Sequence, residues 1–125
     1  IVLKFCKKFT KIEKILIKPK KSLGQNFLQD KNIIKKIINL TPINNENIIE
    51  IGPGLGSLTD RIIELKPKSL LLIEKDRELC DILKKKYDDK NITIVNNDAL
   101  KFDYSKFKST KIISNLPYNI SSKFL

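Results

Sequence analysis

Histidine is absent from all 125 residues. That excludes histidine-activated nucleophiles, histidine general bases and most zinc centres, so any chemistry must run without an imidazole and no metal is expected. Cysteine is scarce too: Cys6 and Cys80 lie far apart, with no Cys-x-x-Cys spacing. Neither a thiolate metal site nor a disulfide framework follows, and a reducing, intracellular setting is expected. No apolar run approaches the roughly 20 residues of a membrane span, so a soluble chain with no membrane partner is expected. Glycine is rare but concentrated: three of the four fall at Gly52, Gly54 and Gly56.

What is present in excess is lysine at one end. Residues 1–36 hold eleven lysines against Glu13 and Asp30, which accounts for +9 of the chain's net +11. Such a block binds polyanions through a salt-sensitive phosphate attraction. A solvated lysine-rich face is the plainer alternative for Lys4 to Lys14, whereas Lys18, Lys20 and Lys21 lean towards nucleic acid. Residues 1–20 are read as a basic N-terminal arm, an amphipathic helix or a disordered segment, and residues 21–125 as one domain. The 41% of hydrophobic residues is enough for a core.

The domain is organised around Ile48 to Asp60. A β-branched run (Ile48, Ile49, Ile51) stops at the three glycines and is followed by Leu58, Ile62 and Leu65 at helical spacing. This predicts strand, tight turn and helix. Ser57 and Asp60 stand in a Ser-x-x-acid relation that reads as a capping pair for that helix. Glycines let the turn approach a ligand without a Cβ clash, and the helix end offers free N–H donors. Gly-Pro-Gly-Leu-Gly is one residue too short for the Gly-x-Gly-x-x-Gly of dinucleotide folds, which counts against NAD. Glu50 precedes the first glycine by two, and Glu74 closes the next apolar run, where a ribose diol would be held.

The remaining elements alternate. Asp30 caps a helix bearing Ile33, Ile34, Ile37 and Ile38 that ends before Pro42, and Asn44 to Asn47 forms a turn. Pro67 is a stop, and Ser69 to Glu74 is apolar without alternation, as in a buried parallel strand. Asp76 caps a helix whose face is Leu79, Ile82, Leu83 and Tyr87; Ile92 to Val95 is the third strand and Lys111 to Ser114 the fourth. Residues 100–110 form a loop or short helix carrying Phe102, Tyr104 and Phe107. The fold class is α/β, a mostly parallel Rossmann-like sheet with right-handed crossovers. The glycine turn, Glu74, Asp98 and Asn115 to Tyr118 all follow strand ends, the edge where open α/β sheets bind ligands.

Asn115-Leu116-Pro117-Tyr118, continued by Asn-Ile-Ser-Ser, resembles the signature of ribosomal RNA adenine dimethyltransferases, which use S-adenosyl-L-methionine. Lys21 to Leu28, Glu50 to Thr59 and Ile73 to Asp76 are similar to three further stretches of that family, and the resemblance runs from about residue 18 to the end. Gly-Pro-Gly-Leu-Gly and Leu116 look more like the small-subunit enzymes than the macrolide-resistance enzymes that modify large-subunit RNA. Gln25-Asn26-Phe27 and Tyr118-Asn119 look like the bacterial or organellar branch, implying the cytoplasm or, alternatively, a mitochondrion or plastid. The resemblance implies the S-adenosylmethionine-dependent methyltransferase fold, small-subunit ribosomal RNA or a ribosomal subunit precursor as partner, and a monomer.

Residue by residue, the resemblance implies that Asn26 and Leu28 fold a lid over the cofactor and that Gly52, with Gly54, brings backbone close to its methionine moiety. Glu74 would accept from the ribose hydroxyls, Asp98 from the adenine amino group, and Ala99 would sit alongside. Asn115 would contact the cofactor and the target base. Chemically, an adenine N6 lone pair is delocalised into the ring and must become more tetrahedral to attack a sulfonium methyl. The Asn115 side-chain oxygen and the carbonyl of Leu116 or Pro117 can hold its N–H groups, Pro117 stiffens the corner, and Tyr118 offers a face for the extruded base. Alignment supplies most of the catalysis and no strong base is needed.

Leu125 falls just inside a helix that Ser121 or Ser122 would cap, and family members continue with three more strands and a helical RNA-binding domain. The expectation is therefore a domain truncated after its fourth strand, marginally stable and inactive as 125 residues alone. Two readings from other classes stand beside the enzyme: an assembly or transcription factor that keeps the fold without using a methyl donor, and a nucleotide-dependent oxidoreductase, which the glycine spacing disfavours.

Overall fold

The computed structural model describes residues 42–107 and 109–114 in full and the backbone of two further strands near the N-terminus. The expected helix from Asp30 to Leu40, together with Asn26, Leu28 and Asn115 to Tyr118, lies outside the described residues.

In chain order the elements are β1 (Val2–Cys6), β2 (Ile15–Leu16), β3 (Asn47–Ile51), α1 (Ser57–Glu64), β4 (Ser69–Glu74), α2 (Arg77–Lys86), β5 (Ile92–Asn96) and β6 (Thr110–Ser114). They form one sheet of order β2-β1-β6-β3-β4-β5. The pairs β6–β3, β3–β4 and β4–β5 are parallel, as expected from four strands separated by crossovers. Their register sets Ile51 beside both Ile73 and Ser114, and Glu74 beside Asn96. The carboxyl ends of the four strands are therefore level.

Two strands were not expected. Val2–Cys6 is neither helix nor disordered arm: it pairs antiparallel with β6, and Ile15–Leu16 pairs antiparallel with it in turn. The physical reason is non-local, because an edge strand such as β6 presents a row of unpaired N–H and C=O groups that any extended segment can complete. The sheet thus has six strands among the described residues, four of them parallel to one another.

Strand alternation divides the core in two. On one face Ile48, Leu70, Leu72 and Ile113 pack with Ile43 and with Leu58 and Ile62 of α1. On the other, Ile49, Ile51, Ile73 and Ile112 are covered by Ala99, Phe102, Tyr104 and Phe107, so the three aromatics of the 98–107 loop do the work of a helix. Phe102 meets Tyr104 edge-on, with ring centroids 5.0 Å apart. A ring layer of this kind buries much apolar area without a helical period.

Two local expectations are corrected. The residue capping α1 is Gly56, in the left-handed region at φ 91°, with no side-chain cap; Ser57 is already the first helical residue. Asp60 is drawn instead to Tyr87 and Lys86, which offer it an O–H and an ammonium. On α2, Asp76 does cap, accepting from the amides of Glu78 and Leu79. Its buried face, however, is Cys80 and Leu83, while Ile82 is 46% exposed. The helix is rotated so that the smaller Cys80 fits beside the sheet, its Sγ donating to the Glu74 carbonyl at 3.3 Å.

Candidate functional site

The glycine turn sits at the level carboxyl edge. Gly52, Gly54 and Gly56 all have positive φ, a conformation that a Cβ would strain. The Gly52 amide donates to the Ile73 carbonyl, which extends the β3–β4 ladder by one step before the chain turns away. Among the described residues a Cβ at Gly54 would meet nothing within 4 Å, so they leave open space over the turn at that residue.

Glu74 holds the turn from the neighbouring strand. Its Oε2 accepts from the Gly54 amide at 3.1 Å and its Oε1 from the Asp76 amide at 3.0 Å. The side chain is only 7% exposed, and both oxygens have a second acceptor direction that these bonds leave free. A carboxylate in this position can thus grip the turn and still accept from a ligand hydroxyl.

Beneath the turn lies Glu50, noted in the sequence as an acid before the glycines but given no role. It is 2% exposed and accepts from the Thr59 hydroxyl. Burial pushes its carboxyl up to about 8, the Thr59 hydrogen bond acts against this, and Asp60 and Glu74 add to the rise. Its burial favours the protonated acid, and it ties the end of β3 to the first turn of α1. The signal was an acid flanked by Ile49 and Ile51 in a strand buried on both faces, where a charge is too costly to keep.

Asp98 and Ala99 follow β5 on the far side of Glu74. Asp98 Oδ1 accepts from the Leu100 amide at 2.9 Å and its carbonyl from the Lys101 and Phe102 amides, so the residue caps the turn that starts the aromatic loop. Its Oδ2 faces the solvent-exposed Lys75 ammonium at 3.8 Å. Ala99 packs under the loop, its carbonyl accepting from the Tyr104 hydroxyl at 2.7 Å. Asn96 ties β5 to the end of β4: its Nδ2 donates to the Glu74 and Lys75 carbonyls, and the Asn97 amide also donates to the Glu74 carbonyl.

Gly52, Gly54, Glu74, Asp98 and Ala99 are therefore gathered along one edge. On the other side of the glycine turn β6 ends at Ser114, which is fully buried and immediately precedes Asn115 in the chain. Among the described residues no group of histidine, cysteine or acidic side chains could hold a metal ion. No helix there is long and apolar enough to cross a membrane. The edge presents acceptors, left-handed glycines and open space, an arrangement suited to a ligand with hydroxyl and amino donors.

The family known as ribosomal RNA adenine dimethylase matches residues 17–125. The chain belongs to that family. A ribosomal RNA small subunit methyltransferase A from Pelagibacter ubique is 47% identical over 113 residues, covering 89% of this chain and 43% of the relative. One from Maridesulfovibrio salexigens is 50% identical over 110 residues, covering 85% and 41%. The chain thus spans about two fifths of the length of the relatives it matches. Among solved structures, a dimethyladenosine transferase from Plasmodium falciparum superposes with a TM-score of 0.61 at 30% identity, covering 76% of this chain and 35% of that one. The 23S rRNA methyltransferase ErmE gives 0.63 at 26% identity, covering 75% and 38%. The fold is the Rossmann-like one of the S-adenosylmethionine-dependent methyltransferases.

Proposed function

We propose that this chain forms the S-adenosylmethionine-binding part of an enzyme that dimethylates adenosine N6 in small-subunit ribosomal RNA during ribosome biogenesis. The observation that carries the reading is the meeting of the glycine turn, Glu74 and Asp98 at one edge of a parallel sheet, with open space over Gly54. The donor set fits the group: a ribose diol needs a bidentate acceptor, an exocyclic amine needs a single acceptor, and a thioether arm needs backbone without Cβ atoms. Family relatives at 47% and 50% identity bear the small-subunit name, whereas ErmE stands at 26%, which favours the small-subunit substrate over the large-subunit one.

S-adenosylmethionine, when bound, supplies an electrophilic methyl group. The chain's part is to hold and to align. Gly52 and Gly54 would hold the methionine arm, Glu74 would accept from the ribose hydroxyls, Asp98 Oδ2 would accept from the adenine amino group, and Ala99 would give that ring an apolar neighbour. Asn26 and Leu28, which lie outside the described residues, would close over the cofactor. The Asn115 side-chain oxygen and the carbonyl of Leu116 or Pro117 would accept from the target amine and orient its lone pair, while Tyr118 would stack on the extruded base. The lysine-rich N-terminal segment adds phosphate affinity. The reaction takes place where small subunits or their precursors are assembled, the cytoplasm in a bacterial cell.

The test is transfer of a radiolabelled methyl group to small ribosomal subunits lacking the modification, by full-length protein and by its Asn115→Ala variant. Label is expected in small-subunit adenosines with the first and a loss of at least about a hundredfold with the second, the scale of one alignment lost. Incorporation that is absent from the wild type, or equal in both, would overturn the reading.

A further inference from the structure

Three glycines punctuate the turn, but they face different neighbours. Among the described residues Gly54 meets no neighbour that a Cβ would touch. Gly56 does: a Cβ there would overlap the Tyr87 hydroxyl and stand 3.1 Å from its Cζ and 3.2 Å from the Lys86 Nζ. Glycine at residue 56 is therefore favoured twice, by its left-handed φ of 91° and by the side chains crowding it from the end of α2.

The same two side chains take hold of the turn. The Tyr87 hydroxyl carries one proton, which goes to Asp60 Oδ1 at 2.5 Å, the nearer of its two acceptors; the Gly56 carbonyl lies at 3.1 Å. The Lys86 ammonium, lying 5.2 Å from the Tyr87 ring centroid, donates to the Leu55 carbonyl and to Asp60 Oδ2, each at 3.1 Å. Burial, and after it the bond to Asp60, pushes the Tyr87 hydroxyl well above its ordinary range, so it remains a donor at all physiological pH. Glu74 grips the turn through the Gly54 amide, while at the end of α2 Lys86 grips the Leu55 carbonyl and Tyr87 holds Asp60 in the first turn of α1, so the loop is held from both sides. Because Lys86 and Asp60 are each about two-fifths exposed, their ion pair alone is worth little, and what matters is that both converge on one short segment.

We propose that Tyr87, Lys86 and Asp60 form a brace that fixes the Leu55–Gly56 segment, making them positioning residues for the methyl donor that never touch it. The inference rests on the cofactor reading above. It predicts that the brace sets affinity rather than fold. The experiment is calorimetric titration of full-length protein with S-adenosylhomocysteine, comparing wild type with Tyr87→Phe, Asp60→Asn, the double variant and Glu74→Gln, with thermal unfolding of each alongside.

Tyr87→Phe and Asp60→Asn are each expected to weaken binding on the order of tenfold, the scale of one hydrogen bond to a charged group. The double variant should lose little more than either alone, because the two share one bond. Midpoints of unfolding should shift by only a few degrees. Unchanged affinity in Tyr87→Phe beside a clear loss in Glu74→Gln would overturn the brace and leave the cofactor site standing. No binding by wild type would overturn the site and the brace with it. Should Tyr87→Phe fail to fold, Lys86→Met carries the same expectation, and unchanged affinity there would count equally against the brace.

Discussion

Glu74 and Gly54, twenty residues apart, are joined by a single 3.1 Å bond from the Gly54 amide to Oε2, while the opposite carboxylate oxygen takes the Asp76 amide. One side chain thus ties the glycine turn to the start of α2. Because β3 and β4 are parallel and in register up to Ile51 and Ile73, the strand ends arrive side by side and the acid needs no long reach. The ligand edge is a consequence of sheet register before it is a consequence of any binding residue.

Glu74→Ala removes both anchors and leaves two amides to find other partners. A loss of about 1–3 kcal/mol in unfolding free energy is expected. Glu74→Gln keeps the shape but sets an NH2 group against one of the amides, so it should be intermediate. Urea unfolding of the three proteins checks the order; an alanine variant as stable as wild type would mean that the turn holds itself.

Glu50 makes stability depend on pH in an unusual direction for a carboxyl. Its ordinary value is 4.5, and burial pushes it to about 8 in the folded chain. Between those values the folded state keeps a proton that the unfolded state has lost. The contribution is therefore complete below about pH 4.5, falls as pH rises towards 8 by at most about 1.4 kcal/mol per unit, and is flat beyond. Glu50→Gln retains an acceptor for Thr59 and cannot titrate. The difference in unfolding free energy between wild type and this variant should shift in the variant's favour from pH 5 to pH 8, and a constant difference would rule out the buried proton.

The edge residues were legible because their signals are local. Gly52, Gly54, Glu74 and Asp98 each stand at or just past the end of a strand, and the parallel sense of the four strands follows from the alternation of strand and helix. What was misread depended on partners far away in sequence. Ser57 and Asp60 fit a capping pair by spacing, but Tyr87, 27 residues beyond Asp60, offers it a better bond and the cap passes to Gly56. Val2–Cys6 has no clear period, and its strand exists because β6 lends it an edge. Glu50 was visible as a residue yet its protonation state was not, since burial is a property of the packed sheet.

The phase of α2 offers a direct check on the packing. Leu79, Ile82, Leu83 and Tyr87 read as one stripe, but Leu83 is fully buried while Ile82 faces solvent. Leu83→Ala should cost about 2–5 kcal/mol, since the sheet on one side cannot collapse into the space. Ile82→Lys should change stability by no more than about 0.5 kcal/mol. Denaturant midpoints decide between the two phases, and a severe Ile82→Lys variant would restore the stripe read from spacing.

Asp98 divides its carboxylate between two tasks, and the division can be separated by experiment. Oδ1 accepts from the Leu100 amide and caps the aromatic loop, a duty that an asparagine oxygen can take over. Oδ2 meets the exposed Lys75 ammonium at 3.8 Å, and is the atom proposed to accept from the adenine amino group. In Asp98→Asn the loop should survive, with an unfolding midpoint within a few degrees of wild type, while an NH2 group replaces the free acceptor. Affinity for S-adenosylhomocysteine should then fall on the order of tenfold. The analogue with hypoxanthine in place of adenine carries an acceptor where adenine has a donor, so the variant should bind it better than the wild type does. That reversal separates hydrogen-bond polarity from simple damage, and a variant that handled both nucleosides as the wild type does would remove Asp98 from the site.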